Sequence, residues 1–321
     1  MSKFLTVERI EFVVTYRCNS QCKHCQIGPD KRASQPVAID QGLAVQIVQE
    51  VAQAYSPSSL MTFGGEPLLF PDIVYAIQAA ARASGIPKRE VITNAGWPRS
   101  EAVFRTVARQ LADSGVNEIH VSVDCFHQEY IPLAVVEQNV RLLVEAGIGQ
   151  LKWNPCWLVS AEHDNLWNRR TRAILQALAH LPVAESEGNV VQPMGNALLW
   201  LRDFLPPRTP LPAGSCGDLP YTGRLDEVGG ISVEPDGSIT VCDEFVIGNA
   251  AQSDTVQMLR SYDPYRLPEM KAILEGGVAG LADLAGTKGV EADLDGYYSV
   301  CDMCKSLRRR FVCHSERSEA K

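Results

Sequence analysis

From the N-terminus to about residue 193, short runs rich in β-branched and aromatic residues alternate with longer runs whose apolar positions recur at three and four residues. Such alternation is the signature of an α/β fold with a parallel sheet, because each parallel crossover needs a helix-length return. Six strands are expected, near 8–15, 59–63, 90–94, 118–124, 150–158 and 189–192. The helices between them carry local signals. Asp40 is placed to cap a helix through about Ala54, with Leu43, Ile47, Val48 and Val51 on one face. Ser100 precedes Val103, Phe104, Val107 and Leu111, and Ser114-Gly115 supplies the stop. A third stripe, Val135, Val136, Val140, Leu143 and Val144, ends before Gly147. These stripes are read as core.

Beyond residue 210 the pattern gives way to Gly-, Pro- and Asp-rich stretches with little apolar periodicity. A hairpin is expected there, 231–234 and 238–241 joined by Pro235-Asp236-Gly237. The expected domains are therefore 1–205, a barrel of strands and helices, and 206–307, a small cysteine-rich unit. Residues 308–321, which begin with Arg308 to Arg310, read as a flexible basic and polar tail.

The densest chemistry follows the first strand. Cys18, Cys22 and Cys25 have C-x3-C-x2-C spacing within the polar stretch Tyr16 to Asp30. Three thiolates can hold three irons of a 4Fe-4S cubane and leave the fourth open to a small molecule. A structural zinc site closes with four protein ligands, and His24, wedged between Cys22 and Cys25, is awkwardly placed to be the fourth. The spacing resembles the signature of the radical S-adenosylmethionine (radical SAM) enzymes. The resemblance implies a partial (β/α)6 TIM-type barrel over about 190 residues, with a SAM-binding 4Fe-4S cluster on these three cysteines. In such a barrel, active groups collect at the C-terminal ends of the strands.

The strand ends fit that expectation. Strand two runs into Gly64-Gly65-Glu66-Pro67. Paired glycines let a ligand approach the backbone closely, and Glu66 would add a carboxylate at the rim. The sequence resembles the family's GGE motif, which implies contact with the amino group of the methionine part of SAM. Period-two alternation puts Ser122 and Asp124 on one face of strand four, where they suit a ribose diol or cap the following helix. Asn94, at the end of strand three, is a further SAM candidate. Gln192 to Ala197 resembles the Pro-x-Gly-x-Ala barrel exit of radical SAM enzymes that carry a C-terminal cluster domain.

The remaining cysteines divide into two groups. Cys216, Cys242, Cys301 and Cys304 resemble the ligands of a shortened SPASM, or twitch, domain holding one auxiliary 4Fe-4S cluster, with four-cysteine zinc as the competing reading. Cys313 with His314 could replace one ligand. Cys125 and Cys156 are either small core residues or thiols that donate a hydrogen atom to a substrate radical, as in peptide epimerases of the superfamily. His127, with Glu129, is a candidate acid or base. Trp153, Trp157 and Trp167 line a pocket or belong to the core.

Composition narrows the function classes. The formal net charge of -8 disfavours nucleic acid as a partner. No run of 18 or more apolar residues appears, so neither a membrane span nor a signal peptide is expected, and the location implied is cytoplasmic. Ten cysteines in such a chain point to metal or redox chemistry rather than disulfides. The resemblance implies reductive cleavage of SAM to a 5'-deoxyadenosyl radical, with a reductant such as flavodoxin or ferredoxin as partner. The substrate is expected to be a peptide or protein that is crosslinked, epimerised or oxidised. The alternative is a small metabolite that is dehydrogenated, and a non-catalytic iron-sulfur or zinc protein is the bland reading. The chain begins almost at strand one, which leaves no room for a leader-recognition domain and weakens the peptide reading.

Overall fold

The computed structural model describes residues 2–319 apart from 97–99, 218–222, 243–244, 291–292 and 294, with side chains described through Phe311. In chain order the first half contains β1 (Leu5–Thr15), α1 (Pro29–Ala33), α2 (Gln41–Tyr55), β2 (Ser59–Gly64), α3 (Pro71–Ala83), β3 (Lys88–Thr93), α4 (Glu101–Ser114), β4 (Glu118–Val121), α5 (Leu133–Glu145) and β5 (Gln150–Trp153). Then come β6 (Cys156–Trp157), α6 (Leu166–Leu178), β7 (Asn189–Val190), α7 (Asn196–Trp200), β8 (Val228–Val233), β9 (Ser238–Thr240), β10 (Val246–Asn249), α8 (Thr255–Arg260), α9 (Pro268–Thr287) and α10 (Val300–Glu319).

Strands β1 to β5 pair in parallel and in sequence order, which is the α/β partial barrel expected from the pattern. The helix starts follow their predicted caps. Asp40 accepts from the Leu43 N–H, and Ser100 from that of Val103. Gly115 ends α4 in the left-handed conformation that glycine adopts without a Cβ penalty.

The sheet separates two environments. Ile10, Phe12 and Val14 of β1, Leu60 of β2, Val91 of β3 and Ile119 of β4 are buried against the helices. The opposite face near the N-terminal ends of the strands carries a layer of ion pairs. Arg9 and Lys88 contact Glu90 at 2.5 and 2.7 Å, Lys152 contacts Glu118 at 2.8 Å, and His120 bridges Glu118 and Glu90 at 2.7 and 3.2 Å. Burial pushes the Glu90 carboxyl up, but His120, Lys88 and Arg9 outweigh it and hold the group down at about 2.

Four departures from the sequence pattern have physical reasons. The strand expected over 150–158 breaks into β5 and β6 at Asn154-Pro155, since Pro155 has no N–H for the ladder. β6 then pairs with β7 in a separate two-stranded sheet. β4 ends at Val121, before Ser122 and Asp124. The hairpin β8–β9 extends the barrel's own sheet, with β8 parallel to β1 in the register Ile10↔Ile231, so the strand order is β10-β9-β8-β1-β2-β3-β4-β5.

The fourth departure is that the C-terminal region is richer in core than its composition suggests. Met270, Ile273, Leu281, Met303 and Leu307 of α9 and α10 are buried, and Phe311 joins them. The basic run Arg308 to Arg310 lies within helix α10 rather than in an irregular tail, with Arg309 and Arg310 on its exposed side.

Candidate functional site

β1 delivers the chain into the loop of Cys18, Cys22 and Cys25. Thr15, fully buried, fixes the turn by donating to Val37 O and accepting from the Arg17 N–H at 2.9 Å. The Cys25 N–H donates to Cys22 O at 3.1 Å, closing a short turn between two of the three cysteines. Burial pushes the Cys18 thiol up to about 11, with the Glu66 carboxylate adding to it. Cys22 is pushed up further by burial, then by Asp124, Cys25 and Cys18. The three thiols thus lie within electrostatic reach of one another, and those of Cys18 and Cys22 keep their protons until a metal displaces them. Asn94 reaches the same place, its Nδ2 donating to Asn19 Oδ1 at 2.8 Å and lying 3.8 Å from Cys18 Sγ.

The Gly64-Gly65-Glu66 turn sits against this loop. A Cβ on Gly65 would lie 2.1 Å from Arg17 O, and one on Gly64, whose φ is +144°, would lie 2.3 Å from Thr15 O. The close neighbour that demands glycine is thus the cysteine loop's own backbone, rather than the ligand that the sequence suggested. The N–H groups of Gly65 and Glu66 donate to Thr15 O and Arg17 O at 2.7 and 2.8 Å. A ligand ammonium would therefore meet the turn from its carbonyl side, the polarity an amine donor requires.

Glu66 is not at the rim. It is fully buried and accepts from Thr93 Oγ1 and the Asn94 N–H, both at 2.8 Å, and from the Leu68 N–H at 3.1 Å. Desolvation lifts its carboxyl to about 7 even though these donors pull the other way. Its position is that of a tie between the ends of β2 and β3, and no sequence signal indicated Thr93 as the partner.

The expected ribose pair is also rearranged. Asp124 is fully buried, and its oxygens accept from the N–H groups of Phe126, His127 and Cys156 and from His127 Nδ1, at 2.9 to 3.0 Å. Four protein donors fill the carboxylate, so Asp124 does not share a face with Ser122 toward a ribose. Burial acts to raise its pKa, but His127 and His24 outweigh that and hold it well below the usual carboxylate range. Ser122 is buried, with its N–H on Thr93 O at 2.9 Å. His127 remains partly exposed beside the cysteine loop, its ring 4.8 Å from that of His24. His24 in turn packs 4.9 Å from Phe126, and its buried Nδ1 has no hydrogen-bond partner.

Cys125 and Cys156 are 6% and 7% exposed, in an apolar cluster with Cys22, Phe126, Leu158, Val191 and Leu201. Burial lifts the Cys125 thiol to about 12 and pushes Cys156 well above the usual thiol range. The cluster includes Cys22 and has Cys25 packed against it, so these buried thiols lie directly behind the three-cysteine loop. Glu129 forms a 2.9 Å ion pair with Lys23. Trp167 stacks on Phe126, whereas Trp153 and Trp157 line a cavity of about 260 Å³ with Arg172 and Glu185.

A second centre lies in the C-terminal region. Cys216, Cys242, Cys301 and Cys304 line one cavity together with Gln192, Phe245, Lys305 and Arg308. Burial pushes Cys304 up to about 12, Arg308 pulls it down, and Cys242, Cys301 and Cys216 add to the rise. Cys216, Cys242 and the Cys301/Cys304 pair, from three separate stretches of the chain, thus face one cavity. Cys313 and His314 lie outside the described side chains.

Residues 12–157 match the family model described as Radical SAM superfamily. Over that stretch the chain is similar to the radical SAM superfamily. The superfamily's 4Fe-4S cluster and SAM are accordingly its cofactors, and three clustered thiols on one loop at the strand ends are a fitting donor set. A curated relative, the GTP 3',8-cyclase of Picosynechococcus sp., is 24% identical over 155 residues, 47% of this chain and 42% of that protein. The GTP 3',8-cyclase of Psychromonas ingrahamii is 29% identical over 154 residues, 46% of this chain and 43% of that one. The chain thus spans less than half the length of the curated relatives it matches. Among solved structures, native anSMEcpe with bound AdoMet aligns with a TM-score of 0.54 at 12% identity, covering 97% of both chains. That likeness shows the shared fold.

Proposed function

We propose that this protein is a radical SAM enzyme that reductively cleaves SAM and abstracts a hydrogen atom from its substrate. The observation that carries the reading is the convergence of Cys18, Cys22 and Cys25 on a loop at the C-terminal ends of the parallel strands, braced by the Gly64-Gly65 turn. When bound, the cluster and SAM supply one electron and a 5'-deoxyadenosyl radical. The chain's own residues do the rest. Cys18, Cys22 and Cys25 would give up their protons to hold the cluster. The carbonyls of the Gly64–Glu66 turn receive the ligand's amino group, Asn94 sits beside Cys18, and Ser122 is a weaker candidate for the sugar. His127, oriented by Asp124, presents its outer nitrogen near the loop and is the best-placed acid or base for moving a proton.

Cys216, Cys242, Cys301 and Cys304 hold an auxiliary 4Fe-4S cluster in this reading. Lys305 and Arg308 in the cavity wall stabilise added negative charge and so favour a redox centre that accepts an electron. A structural zinc is the alternative that four thiolates also allow. We favour a peptide or protein as the substrate, with a small metabolite as the second possibility. GTP is not carried over from the cyclase relatives, because the match covers less than half of those proteins and the net charge of -8 does not favour a polyphosphate.

The test is anaerobic incubation of the reconstituted, dithionite-reduced protein with SAM. Methionine and 5'-deoxyadenosine are expected in equal amounts, and neither from a variant with Cys18, Cys22 and Cys25 changed to alanine. Intact clusters without cleavage would instead support a non-catalytic metal protein.

A further inference from the structure

The barrel exit holds the cysteine loop from outside. Asn196, the first residue of α7 and 6% exposed, donates its backbone N–H to Cys25 O at 2.8 Å and its Nδ2 to Cys22 O at 3.1 Å. Gly195 before it has φ +55° and ψ -129°, and a Cβ there would lie 2.3 Å from Gln26 O and 2.7 Å from Cys25 O. No side chain fits at that distance, and the left-handed φ itself selects glycine. The backbone of residues 195–196 is therefore pressed onto 25–26, while Asn196 caps both cysteine carbonyls, Cys25 O with its backbone N–H and Cys22 O with its side-chain amide.

We propose that Gly195 and Asn196 are positioning residues for the three-cysteine site, a clamp that holds Cys22 and Cys25 in their ligating arrangement. The proposal rests on reading these cysteines as cluster ligands. A cluster held by three thiolates has no fourth protein ligand to restore its geometry, so the ligand loop must be rigid before iron enters. The loop's own bond from the Cys25 N–H to Cys22 O closes the turn but does not fix it to the barrel. Asn196 supplies that connection, since it donates to the carbonyls at both ends of the turn. Its sequence position, 171 residues beyond Cys25, ties completion of the barrel to preparation of the site.

The test compares wild type with Asn196→Ala, Asn196→Asp and Asn196→Gln, all reconstituted as full chains. The readouts are EPR of the reduced state with and without SAM, and iron release to a bathophenanthroline chelator. Alanine removes one hydrogen bond and keeps the backbone N–H, so iron leaves the SAM-responsive centre about three- to tenfold faster. Aspartate turns a carboxylate on Cys22 O and gives a larger effect, whereas glutamine keeps a donor and falls between alanine and wild type. The C-terminal centre and the far-UV CD stay unchanged in all three. Release rates and EPR equal to wild type in both Asn196→Ala and Asn196→Asp would overturn the clamp. A wild type lacking any SAM-responsive signal would instead overturn the ligand assignment beneath it, a separate and recognisable result.

Discussion

Asp124→Asn separates a scaffold carboxylate from a SAM-binding one. In the wild type four donors converge on the buried carboxylate, two on each oxygen. Asparagine keeps an acceptor for the N–H groups of Phe126 and His127, but both bonds become neutral and lose about 1 kcal/mol each. The amide nitrogen then faces the Cys156 N–H, a donor against a donor. His127 can change tautomer and accept, but a buried backbone N–H has no such recourse, and its desolvation costs about 1–3 kcal/mol. The expected loss is about 3–5 kcal/mol. With an unfolding entropy of about 2.1 cal/mol/K per residue, that lowers Tm by roughly 4–8 °C in a chain of this size. Thermal unfolding of the anaerobic protein by CD gives the shift, and calorimetric titration below the transition gives SAM affinity, expected to change less than about threefold. An unchanged Tm with affinity lowered about tenfold or more would refute the scaffold reading and restore the ribose contact.

Two further predictions concern other buried groups. The Glu90 carboxyl is held at about 2 in the fold against 4.5 in the free side chain, so its contribution is present above about pH 4.5 and fades as pH falls toward 2. Urea midpoints measured across that window should drop in the wild type by an amount equivalent to about 3 kcal/mol from this group, while Glu90→Gln, less stable at neutral pH, shows a shallower fall; parallel curves would contradict the ion-pair account. Cys125→Ala and Cys156→Ala should each cost about 1–2 kcal/mol and leave both SAM cleavage and product formation intact. Loss of product with SAM cleavage retained would show that one of the buried thiols donates hydrogen after all.

The parts of the fold legible in the sequence were those set by local chemistry. Asp40 and Ser100 cap the helices they were expected to cap, and the alternation of strand and helix patterns correctly implied parallel pairing. The pairing of β8 with β1 was not legible, because it joins segments more than 200 residues apart and leaves no periodic mark on either. The helices α9 and α10 were missed because their apolar residues pack among glycines and charges that dilute the pattern. At the site, the directions of the side chains were not legible. Glu66 and Asp124 were recognised as special, yet both turn inward to protein donors, which only backbone geometry decides. Asn196 had a motif around it but no signal that its amide would reach Cys22.

The central claim, an open cluster on Cys18, Cys22 and Cys25 beside a closed four-cysteine centre, is tested most directly by metal and sulfide analysis combined with EPR. Anaerobically reconstituted wild type should hold about eight irons, and the variant with all three N-terminal cysteines changed to alanine about four. Addition of SAM should alter the reduced spectrum of the wild type and leave that of the variant unchanged. About four irons with one zinc in the wild type would make the C-terminal centre structural and remove its electron-accepting role. A spectrum indifferent to SAM, with iron fully loaded, would contradict the account at its root.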